Sequence, residues 1–145
     1  EWGQRLDAPT SAGFVAIACG GHHSVALRND GTVVTWGANE GGQLDDVPTC
    51  SGFVAIACGF NHSVALRDDG TVVTWGGRID GQRDDAPAST DFVAIACGLY
   101  HSVALRDDGA VVTWGRRSEG QRDDAPACAD FVAIGCGMFH IVALR

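Results

Sequence analysis

The sequence predicts an all-β chain whose repeated antiparallel sheets form the blades of a β-propeller. Three observations predict this fold: a fixed period, short strand-like runs inside each period, and small side chains in the first of those runs. Residues 58–76 read CGFNHSVALRDDGTVVTWG, and residues 97–115 repeat them with three changes. Self-similarity at a fixed spacing of roughly 20–50 residues marks solenoids, propellers and other arrays.

The period of 39 residues is kept along the chain. The 145 residues hold about 3.7 copies, so we expect one array over 1–145. Its copies are a partial one at 1–13, full ones at 14–52, 53–91 and 92–130, and a partial one at 131–145. Residues that keep the spacing include His23, His62, His101 and His140; Trp36, Trp75 and Trp114; and Cys19, Cys58, Cys97 and Cys136.

Each repeat contains three runs that predict β-strands. In the second copy they are FVAIACG at 53–59, HSVALR at 62–67 and TVVTWG at 71–76, all short, rich in β-branched residues and bounded by glycine. The Asp-Asp-Gly sequence at 68–70 predicts a hairpin, because glycine readily takes the positive φ of such turns. The run GQRDDAP at 81–87 ends in proline and predicts a fourth, outer edge strand. Four antiparallel strands in about 40 residues form a propeller blade.

The radial order of the strands follows from side-chain size. The run VAIAC in the first strand is nearly all small, which suits an innermost strand where blades converge on the axis. Trp36, Trp75 and Trp114 lie on the third strand, at a wider radius. There we expect each indole to fill the gap between blades, which contributes on the order of 2–3 kcal/mol per ring.

The pattern G-x-x-H-S-x-A-L, followed by D-G-x-V-x-x-W-G and by G-Q, resembles the repeat of the regulator of chromosome condensation (RCC1) superfamily. In repeat length the chain is most similar to the bacterial β-lactamase inhibitor of the BLIP-II type. The resemblance covers the whole chain and implies a propeller of about seven blades. The family's glycine after Gln-Leu is replaced here, as in Gln43-Leu44-Asp45, which leaves the shape of the outer strand open.

Closure of the ring is a separate expectation. The fourth copy stops at Arg145 after its second strand, so a self-closed ring of four blades would lack one TVVTWG strand. Unpaired backbone groups and a gap of indole size would be costly. We therefore expect this array to be part of a larger propeller or to be completed by another chain, through self-association or a longer parent chain.

Charge and composition narrow the class of partner. The formal net charge is −8, and all ten basic residues are arginine. A chain without a basic cluster does not match a nucleic-acid backbone or an anionic membrane, so we expect neither nucleic-acid binding nor membrane insertion. No apolar run approaches the ~18 residues of a membrane helix. With nucleic acid and membrane set aside, we expect the partner to be a protein.

The six cysteines do not form a recognisable site. Four of them keep the period inside the first strand and read as small core residues. Cys50 and Cys128 fall in loops, each eight residues before a strand cysteine, which is too far for a local disulfide. No Cys-x-x-Cys spacing and no cofactor motif occurs, so we expect no metal and no cofactor.

The repeated His-Ser pair invites a catalytic interpretation, but a catalytic site is usually single. His23, His62, His101 and His140 each precede a strand in the same context. We therefore interpret them as structural and expect each imidazole to hydrogen-bond the glycine turn beside it. No nucleophile elbow, zinc-protease motif or phosphate-binding loop is present, and the chain is expected not to be an enzyme.

The copies differ most in two turns, after the first strand and after the third. In an up-and-down blade these turns share one end, so their side chains define one face of the disc. Aromatic and arginine residues are typical of protein-binding hot spots. The resemblance implies aromatic contact residues in the matching turns; tolerance of loop variation and plugging of the channel are the alternatives. The predicted contact residues are His22, Phe60, Asn61, Leu99, Tyr100, Met138, Phe139, Arg78, Arg116 and Arg117.

The sequence thus favours a non-enzymatic scaffold that binds a protein through its variable turns. One alternative is a structural or docking subunit of a large assembly. Another is a regulatory propeller of the guanine-nucleotide-exchange kind, as in the founding member of the superfamily. The latter needs a wedge-like insertion, and these uniform repeats contain none.

Overall fold

A computed structural model of the chain describes residues 8–77, 85–116 and 128–145. The described residues contain eleven β-strands and no helix. The strands are β1 (Phe14–Cys19), β2 (His23–Arg28), β3 (Val33–Gly37), β4 (Phe53–Cys58), β5 (His62–Arg67), β6 (Val72–Gly76), β7 (Phe92–Cys97), β8 (His101–Arg106), β9 (Val111–Gly115), β10 (Ala133–Cys136) and β11 (Ile141–Leu144). We call the units that begin at Phe14, Phe53, Phe92 and Phe131 the first to fourth repeats.

The strands form one sheet per repeat. Three sheets have three antiparallel strands in the order β1-β2-β3, β4-β5-β6 and β7-β8-β9, and β10 pairs with β11. Equivalent residues pair in every sheet; His62 faces Gly76, for example, as His101 faces Gly115. In the first three repeats the register shifts at the second residue of the first strand, next to Phe14, Phe53 and Phe92. Identical registers mean that the repeats are equivalent units.

The predicted hairpins are confirmed. The turns hold Gly31, Gly70 and Gly109 at φ of 78°, 78° and 81°, a conformation that favours glycine. A side chain here would also meet the segment that leads into the next repeat, because a Cβ on Gly31 would lie 2.8 Å from the Gly52 nitrogen. The carbonyl of Gly31 accepts a hydrogen bond of 3.0 Å from the Phe53 amide, so the turn ties two repeats together.

The predicted fourth strand is wrong where it can be checked. The first repeat carries the matching run at 42–48, where residues 42–46 form turns. Gly42 and Asp46 have φ of 74° and 57°, which breaks an extended strand. The side chain of Gln43 turns inward and is 2% exposed, and its Oε1 accepts from the Gly41 amide at 2.9 Å. In the second repeat, residues 81–84 lie outside the described residues.

The first strands of successive repeats are neighbours. Strand β1 contacts β4, β4 contacts β7, and β7 contacts β10. The ends of all four strands line one open cavity, as expected for innermost strands around an axis. The chain is therefore a partial β-propeller, and the predicted all-β propeller fold is confirmed, with three-stranded sheets in the described residues.

The core lies between the sheets. Trp75 of the second repeat is completely buried in a cluster with Val25 and Leu27 of the first. Trp114 of the third repeat, 1% exposed, occupies the matching cluster with Val64 and Leu66 of the second. Side chains alternate along a strand, so the valine and leucine of each second strand face the following repeat.

Candidate functional site

The variable face is formed by the turns that follow the first strands. Its backbone is fixed by hydrogen bonds from one repeat to the next, at residues spaced by the period. The amide of Gly21 donates to the Phe60 carbonyl (3.1 Å), Phe60 to Leu99 (2.9 Å) and Leu99 to Met138 (3.1 Å). This ladder leaves the side chains free to differ, because every bond in it is made by the main chain.

In the first three repeats, each of these turns packs against a buried histidine. A Cβ added to Gly59 or Gly98 would lie 2.0 Å from the Cε1 atom of His62 or His101, so only glycine fits there. The expected hydrogen bond between imidazole and turn is not the one observed. Instead, His62 Nε2 lies 2.8 Å from the hydroxyl of Ser102 in the next repeat, across the junction.

The same bond links the first two repeats, where His23 Nε2 lies 2.8 Å from Ser63 Oγ. Burial lowers the pKa of His23 to about 4 and that of His62 to about 3, so both rings are neutral at physiological pH. Burial also lowers the pKa of His101. Its junction lacks the serine because Ile141 stands at that position. His140, the fourth of the series, is exposed.

Three of the predicted contact residues form a row of rings on the variable face. The ring centroids of His22 and Phe60 are 5.2 Å apart, and those of Phe60 and Tyr100 are 6.0 Å apart, both edge to face. The guanidinium carbon of Arg116 lies 5.2 Å from the centre of the Tyr100 ring. Arg116 follows a third strand, so the structure brings the two variable turns together at one end. All four side chains are half-buried.

Leu99 and Met138 lie closer to the axis. They line an open cavity of about 460 Å³ together with Phe60, the strand-end cysteines and the glycines that follow. Met138 is 60% exposed and its neighbour Phe139 is 47% exposed. The face is therefore apolar from the Phe60 ring across the cavity to the fourth repeat.

Three of the four cysteines that line this cavity are poor nucleophiles. Burial raises the pKa of Cys58 and of Cys136 to about 12 and raises that of Cys97 well above its usual value. All six cysteines are free thiols. The described residues contain no group of three or more side chains placed to hold a metal ion.

Asn61, another of the predicted contact residues, is half-buried and also contacts the loop of the preceding repeat. Its Oδ1 accepts a hydrogen bond of 2.9 Å from the Nε2 of Gln43, and its carbonyl accepts one of 2.7 Å from Gly77. Asn61 thus holds the loop of the preceding repeat. Sequence reasoning missed the buried Gln43, although the recurring Gly-Gln pair is a signal of it. The predicted contacts Arg78 and Arg117 lie outside the described residues.

The hairpin turns of the opposite face are nearly identical from repeat to repeat. These are the Asp-Gly turns, in which Asp69 Oδ1 accepts from the amide and hydroxyl of Thr71 at 2.9 and 2.6 Å. These hydrogen bonds lower the pKa of the Asp69 carboxyl. Beside the turns, Val54 and Val93 are 55% and 54% exposed. No helix in the described part of the chain is long and apolar enough to cross a membrane.

These features define a class: a propeller-type repeat array with a conserved junction and one variable, partly aromatic face. The chain belongs to the family of the regulator of chromosome condensation (RCC1) repeat. Residues 14–43, 53–82 and 92–121 match that repeat, which together make 90 of the 145 residues. The resemblance to the RCC1 repeat that was inferred from the sequence is confirmed. No curated protein matches the chain.

Solved structures share the fold. The ectodomain of the receptor kinase CR4 from Physcomitrella patens is 23% identical, with a TM-score of 0.74, over 90% of this chain and 35% of that chain. The CRINKLY WD40 ectodomain of the Arabidopsis thaliana receptor kinase ACR4 is 22% identical, with a TM-score of 0.74, over 90% of this chain and 46% of that chain. Prp20p from Saccharomyces cerevisiae is 22% identical, with a TM-score of 0.74, over 94% of this chain and 44% of that chain. The chain thus spans less than half the length of these three proteins.

Proposed function

We propose that the chain is a non-enzymatic interaction scaffold that binds a partner protein through its variable face. The observation that carries the proposal is the row of His22, Phe60 and Tyr100, whose rings contact one another at the surface, with Arg116 over the last. Half-buried aromatic rings beside an arginine are typical of binding hot spots, because their shape is fixed before binding.

The difference between the two faces supports the same proposal. The Asp-Gly turns of the opposite face keep nearly the same residues from repeat to repeat, whereas the turns of the variable face change at each repeat on an unchanged main-chain ladder. A series of different side chains on a regular frame suits a single, asymmetric partner surface. Prp20p, which shares the fold, has described binding properties to Gsp1p and histones, so this type of fold can bind proteins.

The state of the histidines and cysteines supports a role without catalysis. His23 and His62 are buried at repeat junctions with lowered pKa values, so they do not accept protons at neutral pH. The buried thiols that line the cavity have raised pKa values and little thiolate. The net charge of −8 favours a protein over a nucleic acid as partner.

The test is affinity capture from the source organism followed by direct binding measurements. We expect Phe60→Ala with Tyr100→Ala, and separately Phe139→Ala, to weaken binding of the captured partner at least tenfold, which is about 1.4 kcal/mol. Val54→Ala and Val93→Ala are matched controls on the opposite face and should leave the affinity unchanged. If the controls weaken binding and the aromatic variants do not, the variable face is not the binding site. Far-ultraviolet circular dichroism of each variant verifies the fold.

A further inference from the structure

Two equivalent grooves lie between successive repeats on the face that carries the Asp-Gly turns. The first groove, of about 460 Å³, lies between the first and second repeats, and the second, of about 580 Å³, lies between the second and third. Each residue that defines the second groove follows its counterpart in the first by one period of the sequence. The first groove is defined by Val15, Asn29, Asp30, Val54 and Asp68, and the second by Val54, Asp68, Asp69, Val93 and Asp107.

Each groove contains exposed apolar surface because a β-bulge turns a valine outward. The register of β4 shifts between Phe53 and Ala55, which leaves Val54 as the extra residue, and Val93 has the same place in β7. Bulges of this kind re-aim a side chain. Val54 and Val93 are 55% and 54% exposed. Both belong to repeats that have a neighbour on each side, so their exposure does not arise from an end of the array.

The charged side chains around the valines are mainly acidic. Asp68 and Asp107 are exposed and take part in no ion pair among the described residues. The other two carboxylates of the second groove, those of Asp69 and Asp91, are in ion pairs with arginines. The first groove is less acidic, because Asn29 stands there at the position that Asp68 has in the second.

An apolar floor beside an acidic rim selects the class of occupant by charge. The negatively charged phosphates of nucleic acids and of lipid headgroups are repelled by the aspartates. A protein segment that carries an apolar side chain flanked by arginine or lysine matches both parts of the groove. We propose that each groove binds a short basic segment of a partner protein, with the apolar side chain on the valines and the basic side chains on the aspartates.

The repetition of the groove has a consequence for the partner. Because the two grooves are equivalent, a partner with two such segments in tandem can occupy both at once, and the second contact is then intramolecular. Neither groove includes a residue of the variable face. The proposal therefore stands or falls independently of the function proposed above.

The test titrates the isotope-labelled 145-residue chain with the peptide Arg-Arg-Leu-Arg-Arg, blocked at both ends, and follows the amide signals by nuclear magnetic resonance. We expect saturable shifts at both grooves, larger at the second, and a Kd that rises between about 20 and about 300 mM sodium chloride. The matched peptides Arg-Arg-Ser-Arg-Arg and Glu-Glu-Leu-Glu-Glu should bind at least about threefold more weakly.

Each contrary result of the titration overturns the proposal. Equal binding of the serine peptide would show attraction of charge alone, and equal binding of the glutamate peptide would show apolar contact alone. Shifts outside the grooves, or no saturable shift with the arginine–leucine peptide, would place no such site there. Groove signals that move with the concentration of the chain alone would assign the grooves to a second copy instead.

Two pairs of substitutions locate the binding. Val54→Ala with Val93→Ala removes apolar surface, and Asp68→Asn with Asp107→Asn removes charge. Asparagine suits this turn, because Asn29 holds the equivalent position in the first repeat. Each pair should weaken binding of the arginine–leucine peptide at least about threefold, and the second should also reduce its salt dependence.

Phe139→Ala, on the variable face, is the control and should leave the affinity for this peptide unchanged. All the substituted side chains except that of the control lie in the grooves, and circular dichroism verifies the fold of each variant. Binding that survives both pairs of substitutions in folded protein would overturn the proposal.

Discussion

His62 Nε2 lies 2.8 Å from the hydroxyl of Ser102 in the next repeat, and both side chains are completely buried. The bond crosses the junction between two sheets, so it is lost only when the repeats separate. Removing one partner of such a buried hydrogen bond is costly, because the other polar atom is then left buried without a partner and without access to water. The pair therefore contributes to the coupling between repeats.

Ser102→Ala removes one partner of that bond. We expect the free energy of unfolding to fall by about 1–3 kcal/mol, measured by urea denaturation. Ser24→Ala is the matched control at the equivalent position of the first repeat, where no histidine among the described residues bonds the hydroxyl, and it should change stability by less than about 0.5 kcal/mol. Equal effects of the two substitutions would contradict the role assigned to the junction bond.

The sequence predicts most of this architecture because its signals are local. Strand-forming runs, the Asp-Gly turns and the period each lie within one repeat, so β4, β5 and β6 could be placed before the structure was known. Contacts between repeats could not be placed, because they join residues such as His23 and Ser63 that are 40 positions apart. The hydrogen bond between Gln43 and Asn61 could not be predicted for the same reason, since the two residues are 18 positions apart and belong to different repeats.

Acid should destabilise the array through its buried histidines. Their pKa values are lowered on folding, so the unfolded chain binds protons first as the pH falls below the ordinary value of 6.5. The full stability contribution is present above pH 6.5 and is lost as the pH falls towards about 4 for His23 and about 3 for His62. At a pH roughly 1.5 units below 6.5, each of these two histidines should lower the free energy of unfolding by about 2 kcal/mol.

The measurement is the free energy of urea unfolding at several pH values between 7.5 and 5. This window lies above the range in which exposed carboxylates such as Asp69, whose pKa is lowered, take up protons. A free energy that stays constant across this window would mean that the imidazoles are not protected from protonation in the fold.

The contribution of each indole ring to the unfolding free energy should depend on how completely a neighbouring repeat covers it. Trp75→Ala empties a completely buried site between two sheets, and we expect a loss of about 3–5 kcal/mol in unfolding free energy. Trp36→Ala removes the equivalent ring from a half-buried position and should cost less than half as much. Thermal unfolding followed by circular dichroism provides the comparison. A larger loss for Trp36 than for Trp75 would be inconsistent with packing between repeats as the main role of the ring.

Gly98 and Gly135 differ in how much space the surrounding residues leave for an added Cβ atom. A Cβ on Gly98 would lie 2.0 Å from Cε1 of His101, whereas a Cβ on Gly135 would meet nothing within 4 Å. Gly98→Ala should therefore displace a buried imidazole and lower stability by about 1–3 kcal/mol, as overpacking does. Gly135→Ala should be neutral or stabilising by up to about 1 kcal/mol, because Gly135 lies in a strand where the other repeats carry Ala18, Ala57 and Ala96. Urea denaturation of both variants measures the difference, and a stable Gly98→Ala protein would show that the imidazole is not confined against the turn.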